Sequence, residues 1–225
     1  MTTPTEYTLV EKSILGTLTG KYDYRYIHPD EHPSLRAREN EVLFRPLVIE
    51  ALVRINGIPQ STAEAVFNDL AGIADNQRWV EVLRGNYSRN VPGADTHQTI
   101  RLIDFDNIKN NDFACTSQLR VQGEVVRKPD VVIYVNGIPL IVIEAKSPIN
   151  PSQNAFDAID QVRSAEREVP RLFHSNLFNI ATNDITFMYG ATGAPSELWS
   201  RWRDPWPRKV EEFADETEKG LYALL

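Results

Sequence analysis

From Arg127 to Pro148 the chain reads RKPDVVIYVNGIPLIVIEAKSP, and this stretch restricts the possible folds more tightly than any other. Two apolar runs, VVIYV and LIVI, have the length and the β-branched content of interior strands. Asn136-Gly137 between them is a strong hairpin signal. The stretch therefore predicts two neighbouring antiparallel strands inside a sheet. Its ends carry Asp130, Glu144 and Lys146. Burying an unpaired charge costs so much that these groups must either pair with one another or hold a metal ion.

Register decides between the two. Residues two apart in a strand share a face, so Glu144 and Lys146 point one way while Ile143 and Ala145 point the other. With a bare two-residue turn, Val135 pairs with Ile138, Asp130 falls opposite Ile143, and Glu144 faces away. A loop one residue longer, or a bulge near Asp130, sets Asp130 opposite Glu144 with Cα atoms roughly 4.5–5.5 Å apart. Pro139 cannot donate to a ladder and favours a looser loop. The expectation is the register with the extra residue.

Two carboxylates that close repel unless a cation lies between them. Hard oxygen donors without His or Cys favour Mg²⁺ or Mn²⁺. The backbone carbonyl of Ala145 is a candidate third ligand. A water acidified by the metal is the natural nucleophile for in-line attack on a phosphodiester, and Lys146 can orient it and offset charge on the phosphate. The pattern therefore points to metal-assisted phosphodiester hydrolysis. The alternative from the same residues is an ion-pair network at the rim of a sheet.

The remaining sequence supports an α/β fold with a helix-rich front. Apolar spacing predicts a helix over about residues 5–19, a second within ENEVLFRPLVIEALVRIN ending at Asn56-Gly57, and a third in TAEAVFNDLAGIA with a capping signal at Ser61 and Thr62. TIRLIDFD and DFACTSQLRVQGE alternate as strands do. After the hairpin, Ser152 caps a predicted helix, SQNAFDAIDQVRSAER, with Phe156, Ile159 and Val162 inward, and the strands LFNIATN and ITFMYGA follow. A mixed central sheet flanked by helices results. Residues 1–110 are expected to form a helix-rich region packed on the core, and residues 111–200 to form the core. Residues 201–225 read as a linker and helix leading to a C-terminal region absent from this chain.

Charge and cysteine content narrow the function classes. A formal charge of -7 argues against a protein that grips nucleic acid with its whole surface, but leaves room for an acidic metal site beside a local basic stripe. Arg36, Arg38, Arg120, Arg127 and Lys128 are candidates for the stripe. Trp199, Trp202 and Trp206, interleaved with Arg201, Arg203 and Arg208, form either a stacking strip or packing for the tail. The single cysteine, Cys115, excludes an internal disulfide and reads as a small strand hydrophobe. No run approaches the roughly 20 apolar residues of a membrane helix, and the cytoplasm is the expected location. The four histidines lack ligand spacing.

Pro-Asp, a hairpin, then Glu-x-Lys resembles the signature of the PD-(D/E)xK nuclease superfamily. The wider text, LVRINGIP, LIDFDNIKNNDF, KPDVVIYVNGIPLIVIEAKSP and AIDQVRSAEREVPRLFHSNLFNIATND, resembles the N-terminal nuclease domain of the restriction subunit of type I restriction-modification enzymes. The resemblance implies a restriction-endonuclease-like core with Asp130 and Glu144 as metal ligands and Lys146 as the catalytic lysine. Relatives often carry a glutamine and a tyrosine four residues apart on the next helix. Gln161 fits the first position, on a polar face with Asn154 and Asp157, whereas Ala165 departs from the second. Glu11 or Glu50, on front helices, could add an acid, as nucleases of this type often do. The resemblance further implies DNA as substrate, methyltransferase and specificity subunits as partners, and ATP use only by a motor that this chain lacks. GTLTGKY at residues 16–22 does not have the spacing of a phosphate loop. A stand-alone repair or recombination nuclease and a non-catalytic docking domain remain the alternatives.

Overall fold

The computed structural model describes residues 6–93, 95–146, 155–183, 185–201 and 205–224. The helices are α1 (Glu6–Lys21), α2 (His32–Leu35), α3 (Arg45–Asn56), α4 (Gln60–Ala71), α5 (Asn76–Leu83), α6 (Ala155–Glu168), α7 (Pro170–His174) and α8 (Glu216–Leu224). The strands are β1 (Arg25–Ile27), β2 (Ser88–Asn90), β3 (His97–Thr99), β4 (Phe113–Ser117), β5 (Val121–Gln122) and β6 (Val126–Arg127). They continue with β7 (Val131–Val135), β8 (Ile138–Ala145), β9 (Phe178–Thr182), β10 (Phe187–Ala191) and β11 (Ser200–Arg201). Seven strands form one sheet in the order β1-β4-β7-β8-β9-β10-β11. The β1–β4 and β8–β9 pairs are parallel and the others antiparallel, so the sheet is mixed, as expected.

The predicted hairpin, β7–β8, occupies the sheet centre, and every residue of both strands is buried. One face of the hairpin, Val131, Ile133, Ile141 and Ile143, shares a core with Ile14, Val48, Val66 and Trp79 of α1, α3, α4 and α5. The other face, Val132, Tyr134 and Val142, packs on Ile159, Val162 and Leu172 of α6 and α7. Strands covered on both sides lose their polar alternation, which is why the two runs read as continuous apolar text. Cys115 is a buried thiol in β4, and burial pushes its pKa up to about 12.

Helix ends follow local chemistry. Pro46 starts α3 in the first turn, where its missing N–H costs nothing, and Gly57 closes the helix at φ 64°. The helix at residues 60–71 departs from the expected cap: it opens at Gln60 behind Pro59, without a side-chain cap from Ser61 or Thr62. Extended Pro59 presets the entry, so no hydroxyl is needed there. Ser152 and Asn154 lie outside the described residues.

Two further expectations are corrected. TIRLIDFD is not a strand beyond Thr99. Ile100 and Leu102 are buried as loop anchors. The Asn56 side chain supplies hydrogen bonds a neighbouring strand would have given, accepting from the Arg101 N–H at 2.8 Å and donating to its carbonyl at 2.9 Å. Asp104 then turns the chain by accepting the N–H groups of Asp106 and Asn107. In α6, Phe156 points out and is 62% exposed, because the buried stripe is Ala155, Ala158, Ile159, Val162 and Ala165. A stripe drawn through residues 156, 159 and 162 drifts off the face that 3.6 residues per turn maintains.

The tail returns to the front of the chain. Helix α8 packs on α1, with Lys21 Nζ 2.5 Å from Glu218 Oε2 and the Ser13 hydroxyl donating to Thr217 at 3.3 Å. Trp199 is buried against Gly190, whereas Trp206 is exposed and Arg208 stacks on Phe213 at 4.1 Å. These residues do not form one stacking strip. Trp202 and Arg203 lie outside the described residues.

Candidate active site

The decisive local feature is an extra residue in β8. The turn at Asn136-Gly137 is the tight one, with Val135 opposite Ile138, and Tyr134 faces Pro139. Ile133 then faces Ile141, leaving Leu140 as a bulge, after which Val132 faces Val142 and Val131 faces Ile143. The looser loop and the bulge near Asp130 were both misplaced expectations, since the extra residue sits one pair from the turn. The register it produces is the expected one, because the next pair outward from Val131 and Ile143 is Asp130 and Glu144. Asn136 (φ 53°) and Gly137 (φ 76°) are both left-handed, as this turn requires.

At the rim, Asp130 is 1% exposed, Glu144 4% and Lys146 9%. The Ala145 N–H donates to Asp130 Oδ2 at 2.8 Å, which fixes one carboxylate against the backbone of the facing strand. The Lys146 N–H donates to the Thr182 carbonyl of β9 at 2.8 Å, and its ammonium donates to Gln161 Oε1 on α6. Glu144 Oε1 is buried without a hydrogen-bond partner. Burial, reinforced by the charge of Asp130, raises the Glu144 pKa well above the carboxylate range, while Lys146 and Arg127 oppose the shift. A buried acceptor without a donor is costly, and a cation between the two carboxylates would remove the cost.

Glu144 lines a cavity of about 420 Å³ whose walls include Gln161, Ala165, Val142 and Pro129, with Arg120, Arg127 and Lys128 at its edge. Of the site residues expected from sequence, Glu144, Gln161, Arg127 and Lys128 line this cavity, while Asp130, Ala145 and Lys146 adjoin Glu144 at the rim without lining it. The cations are not equally available. Arg127 is ion-paired with Glu168, Arg120 is paired with Glu39 at 2.7 Å, and Lys128 is exposed. Arg36 leaves the expected stripe altogether, since it is buried and bonded to backbone carbonyls.

Of the two front acids, only Glu11 comes near. It accepts from the Gln118 side chain at 3.3 Å, and the Gln118 N–H in turn donates to the Asp130 carbonyl at 3.3 Å. Burial raises the pKa of Glu11 against hydrogen bonds from Ser117 and Gln118. Glu50 is exposed and 3.7 Å from Arg54, within its own helix. Sequence reasoning missed Thr182 and Glu168, which support the backbone of Lys146 and the side chain of Arg127. Their only sequence signal was position, at a strand end and a helix end.

Among the described residues, no group of three His, Cys, Asp or Glu side chains gathers to hold a metal. The donor set at the rim is two carboxylates and backbone carbonyls. Such a set fits a hard divalent cation that keeps several waters, and it does not fit zinc.

Comparison with known proteins gives the lineage. The family model described as "Type I restriction enzyme R protein N terminus" matches residues 3–198. The chain belongs to this family. Among relatives of this R-protein N terminus, the "Type I restriction enzyme HindI endonuclease subunit" of Haemophilus influenzae is 28% identical over 198 residues, covering 81% of this chain and 19% of that protein. The "Putative type I restriction enzyme MjaVIIIP endonuclease subunit" of Methanocaldococcus jannaschii is 34% identical over 126 residues, covering 56% of this chain and 12% of that protein. This R-protein N terminus therefore matches about a fifth or less of the length of these relatives. No helix among the described residues is long and apolar enough to cross a membrane.

Proposed function

We propose that this chain is the metal-dependent DNA endonuclease module, of PD-(D/E)xK type, of a type I restriction enzyme R subunit. The observation that carries the reading is the buried pair Asp130 and Glu144, with Glu144 Oε1 unpartnered. Asp130, Glu144 and the Ala145 carbonyl would hold Mg²⁺ or Mn²⁺. When bound, the cation supplies an activated nucleophile at neutral pH and neutralises charge at the phosphate. The Ala145 N–H keeps Asp130 aimed across the hairpin. Lys146, steadied by Gln161, presents its ammonium beside Glu144, where it can donate to a phosphate oxygen as negative charge builds. Arg127 and Lys128 at the cavity edge would contact the DNA backbone, and Gln161 supports the lysine. Where relatives often carry tyrosine, Ala165 leaves a wall without a hydroxyl, so no step depends on one. In the assembled enzyme, methyltransferase and specificity subunits would select the DNA, and a motor outside this chain would use ATP.

Calorimetric titration of Mn²⁺ into wild type and Asp130→Ala, with melting followed in parallel, tests the metal site. Binding that raises Tm in wild type and disappears in the variant is expected, since a ligand of the folded state alone stabilises it. Equal binding by both proteins would remove Asp130 from the site. In the assembled enzyme, Lys146→Ala is expected to slow cleavage by about 10²–10³-fold, the size of a lost charge-stabilising donor. Unchanged cleavage would favour a docking role for this domain.

A further inference from the structure

A second cavity, larger than the one at Glu144, lies away from that residue. It has a volume of about 700 Å³ and is walled by the segment running from α2 into α3, by the C-terminal part of α4 with the following loop, and by α7. Ser175 lines it and donates to the Pro139 carbonyl at 2.8 Å, which ties the cavity to the turn end of the hairpin. Pro139 precedes Glu144 on β8 by roughly 17 Å, at about 3.4 Å per residue. The cavity is therefore a separate place in the molecule.

Its polar lining is cationic. Four guanidinium groups, Arg36, Arg38, Arg45 and Arg171, line the cavity with one carboxylate, Glu41, and with His174, whose pKa burial lowers. That carboxylate is already engaged, accepting from the Ala37 N–H at 3.0 Å and lying 3.3 Å from Arg38 Nε. Arg36 is the informative residue. It is 7% exposed, yet its guanidinium donates only to the backbone carbonyls of Glu39, Glu41 and Arg120, at 3.2, 3.0 and 2.5 Å, and pairs with no carboxylate. A guanidinium has five N–H donors, so these bonds leave donors unused. A buried cation without a counter-ion is expensive to keep. Arg171, on the opposite wall, is exposed and has no ion pair among the described residues. Asn40 Oδ1, also in this lining, is buried with no hydrogen-bond partner.

These features describe a ligand. Several guanidinium groups call for more than one negative charge, and a phosphate monoester carries about -1.5 to -2 where a carboxylate carries one. The unpartnered Asn40 oxygen calls for an N–H or O–H donor. Leu35, Pro46, Leu70 and Trp79 supply apolar wall, and the volume falls within the roughly 300–1,000 Å³ of small-molecule sites. We propose that this cavity is a second binding site, for a phosphate monoester of nucleotide size, with Arg36 and Arg171 drawing the phosphate and Asn40 accepting from the base or sugar. The site is independent of the nuclease reading.

Inorganic phosphate and dAMP are the probes, titrated at fixed ionic strength into the 225-residue chain while the Trp79 indole N–H is followed by NMR. We expect both to shift that signal, with dAMP binding more tightly. Arg171→Glu, an exposed change, should weaken both at least tenfold with an unaltered fold by circular dichroism, and Arg171→Gln should fall between. Asn40→Ala should weaken dAMP alone, and Glu144→Gln should leave the affinities for phosphate and dAMP at their wild-type values. No shift with either probe overturns the site. So does wild-type affinity in Arg171→Glu, and so does a loss of binding in Glu144→Gln, which would move the ligand to the hairpin rim. Equal affinity for phosphate and dAMP, untouched by Asn40→Ala, overturns the nucleotide-sized ligand and leaves an anion site only.

Discussion

The two ends of one hairpin are built on opposite plans. At the turn, the backbone N–H and both polar side-chain atoms of Asn136 are used: its N–H donates to the Asp112 carbonyl at 2.8 Å, and its Oδ1 accepts from the Asp112 N–H and from Arg54. Its Nδ2 donates to the Leu102 carbonyl and to Asn111. The Gly137 carbonyl accepts from the Phe44 N–H at 2.9 Å. At the open end, five or six residues away along the same strands, a buried carboxylate oxygen is left without a partner beside a second carboxylate. Burial alone does not distinguish the ends, since both are almost solvent-free. Satisfaction does. The turn end is closed by hydrogen bonds and stabilises the fold, while the rim keeps a buried acceptor unsatisfied.

Substitutions on both sides test that contrast. The largest effect is expected at the turn: Asn136→Ala strands the Leu102 carbonyl and the Asp112 N–H and should cost about 3 kcal/mol in urea unfolding. A loss below about 1 kcal/mol would end the idea of a polar lock. Next is His32, buried beside this end, stacked on Phe44 and 2.7 Å from the Thr116 hydroxyl. Burial, with Arg36 nearby, lowers its pKa to about 4. The unfolded chain then binds more protons between about pH 6.5 and 4, so stability falls as pH drops through that window, by roughly 3 kcal/mol in all. His32→Gln should flatten that slope, and an unchanged slope would assign it to other groups.

The sign should reverse at the rim. Glu144→Gln keeps the shape and removes a buried carboxylate that faces Asp130, so in metal-free buffer it should stabilise the chain by about 1 kcal/mol while losing Mn²⁺ binding. Destabilisation of the same size would show that the rim is satisfied after all. The smallest effect is expected for the exposed pair of Arg120 and Glu39. Replacing either with Ala should change stability by less than about 0.5 kcal/mol, as surface pairs usually do, and a larger loss would mean that the pair orders the cavity edge.

Much of this was legible in the sequence, and the failures share a cause. VVIYV-NG-IPLIVI announced the central hairpin because strands buried on both faces have few alternatives. Pro-Asp and Glu-x-Lys announced the rim because charges at such strand ends need compensation. The register was inferred correctly from chemistry, yet Leu140 carries no sign that it is the extra residue. TIRLIDFD alternates like a strand although Asn56, 45 positions from Arg101, supplies its hydrogen bonds. The availability of Arg36, Arg120 and Arg127 was likewise hidden, since it depends on carbonyls and carboxylates distant in sequence. Local text specifies which groups need partners, and tertiary packing decides which partners they get.

Leu140 also ties the length of this hairpin to its register. The bulge shifts the phase of the strand: before it, β8 is in the frame fixed by the turn, and after it, each side chain has changed sides. Deleting that one residue outright would give a regular ladder from the same tight turn, with Ile133 facing Ile141 and Asp130 still facing Glu144, so the pairing at the rim would be kept. Flattening the bulge with Leu140 retained, so that Ile133 faces Leu140, would instead set Asp130 opposite Ile143 and turn Glu144 and Lys146 to the other side of the sheet. A hairpin with the same motif and the same two-residue turn, but one residue shorter between Pro139 and Ile143, therefore needs no bulge to set the two carboxylates opposite one another.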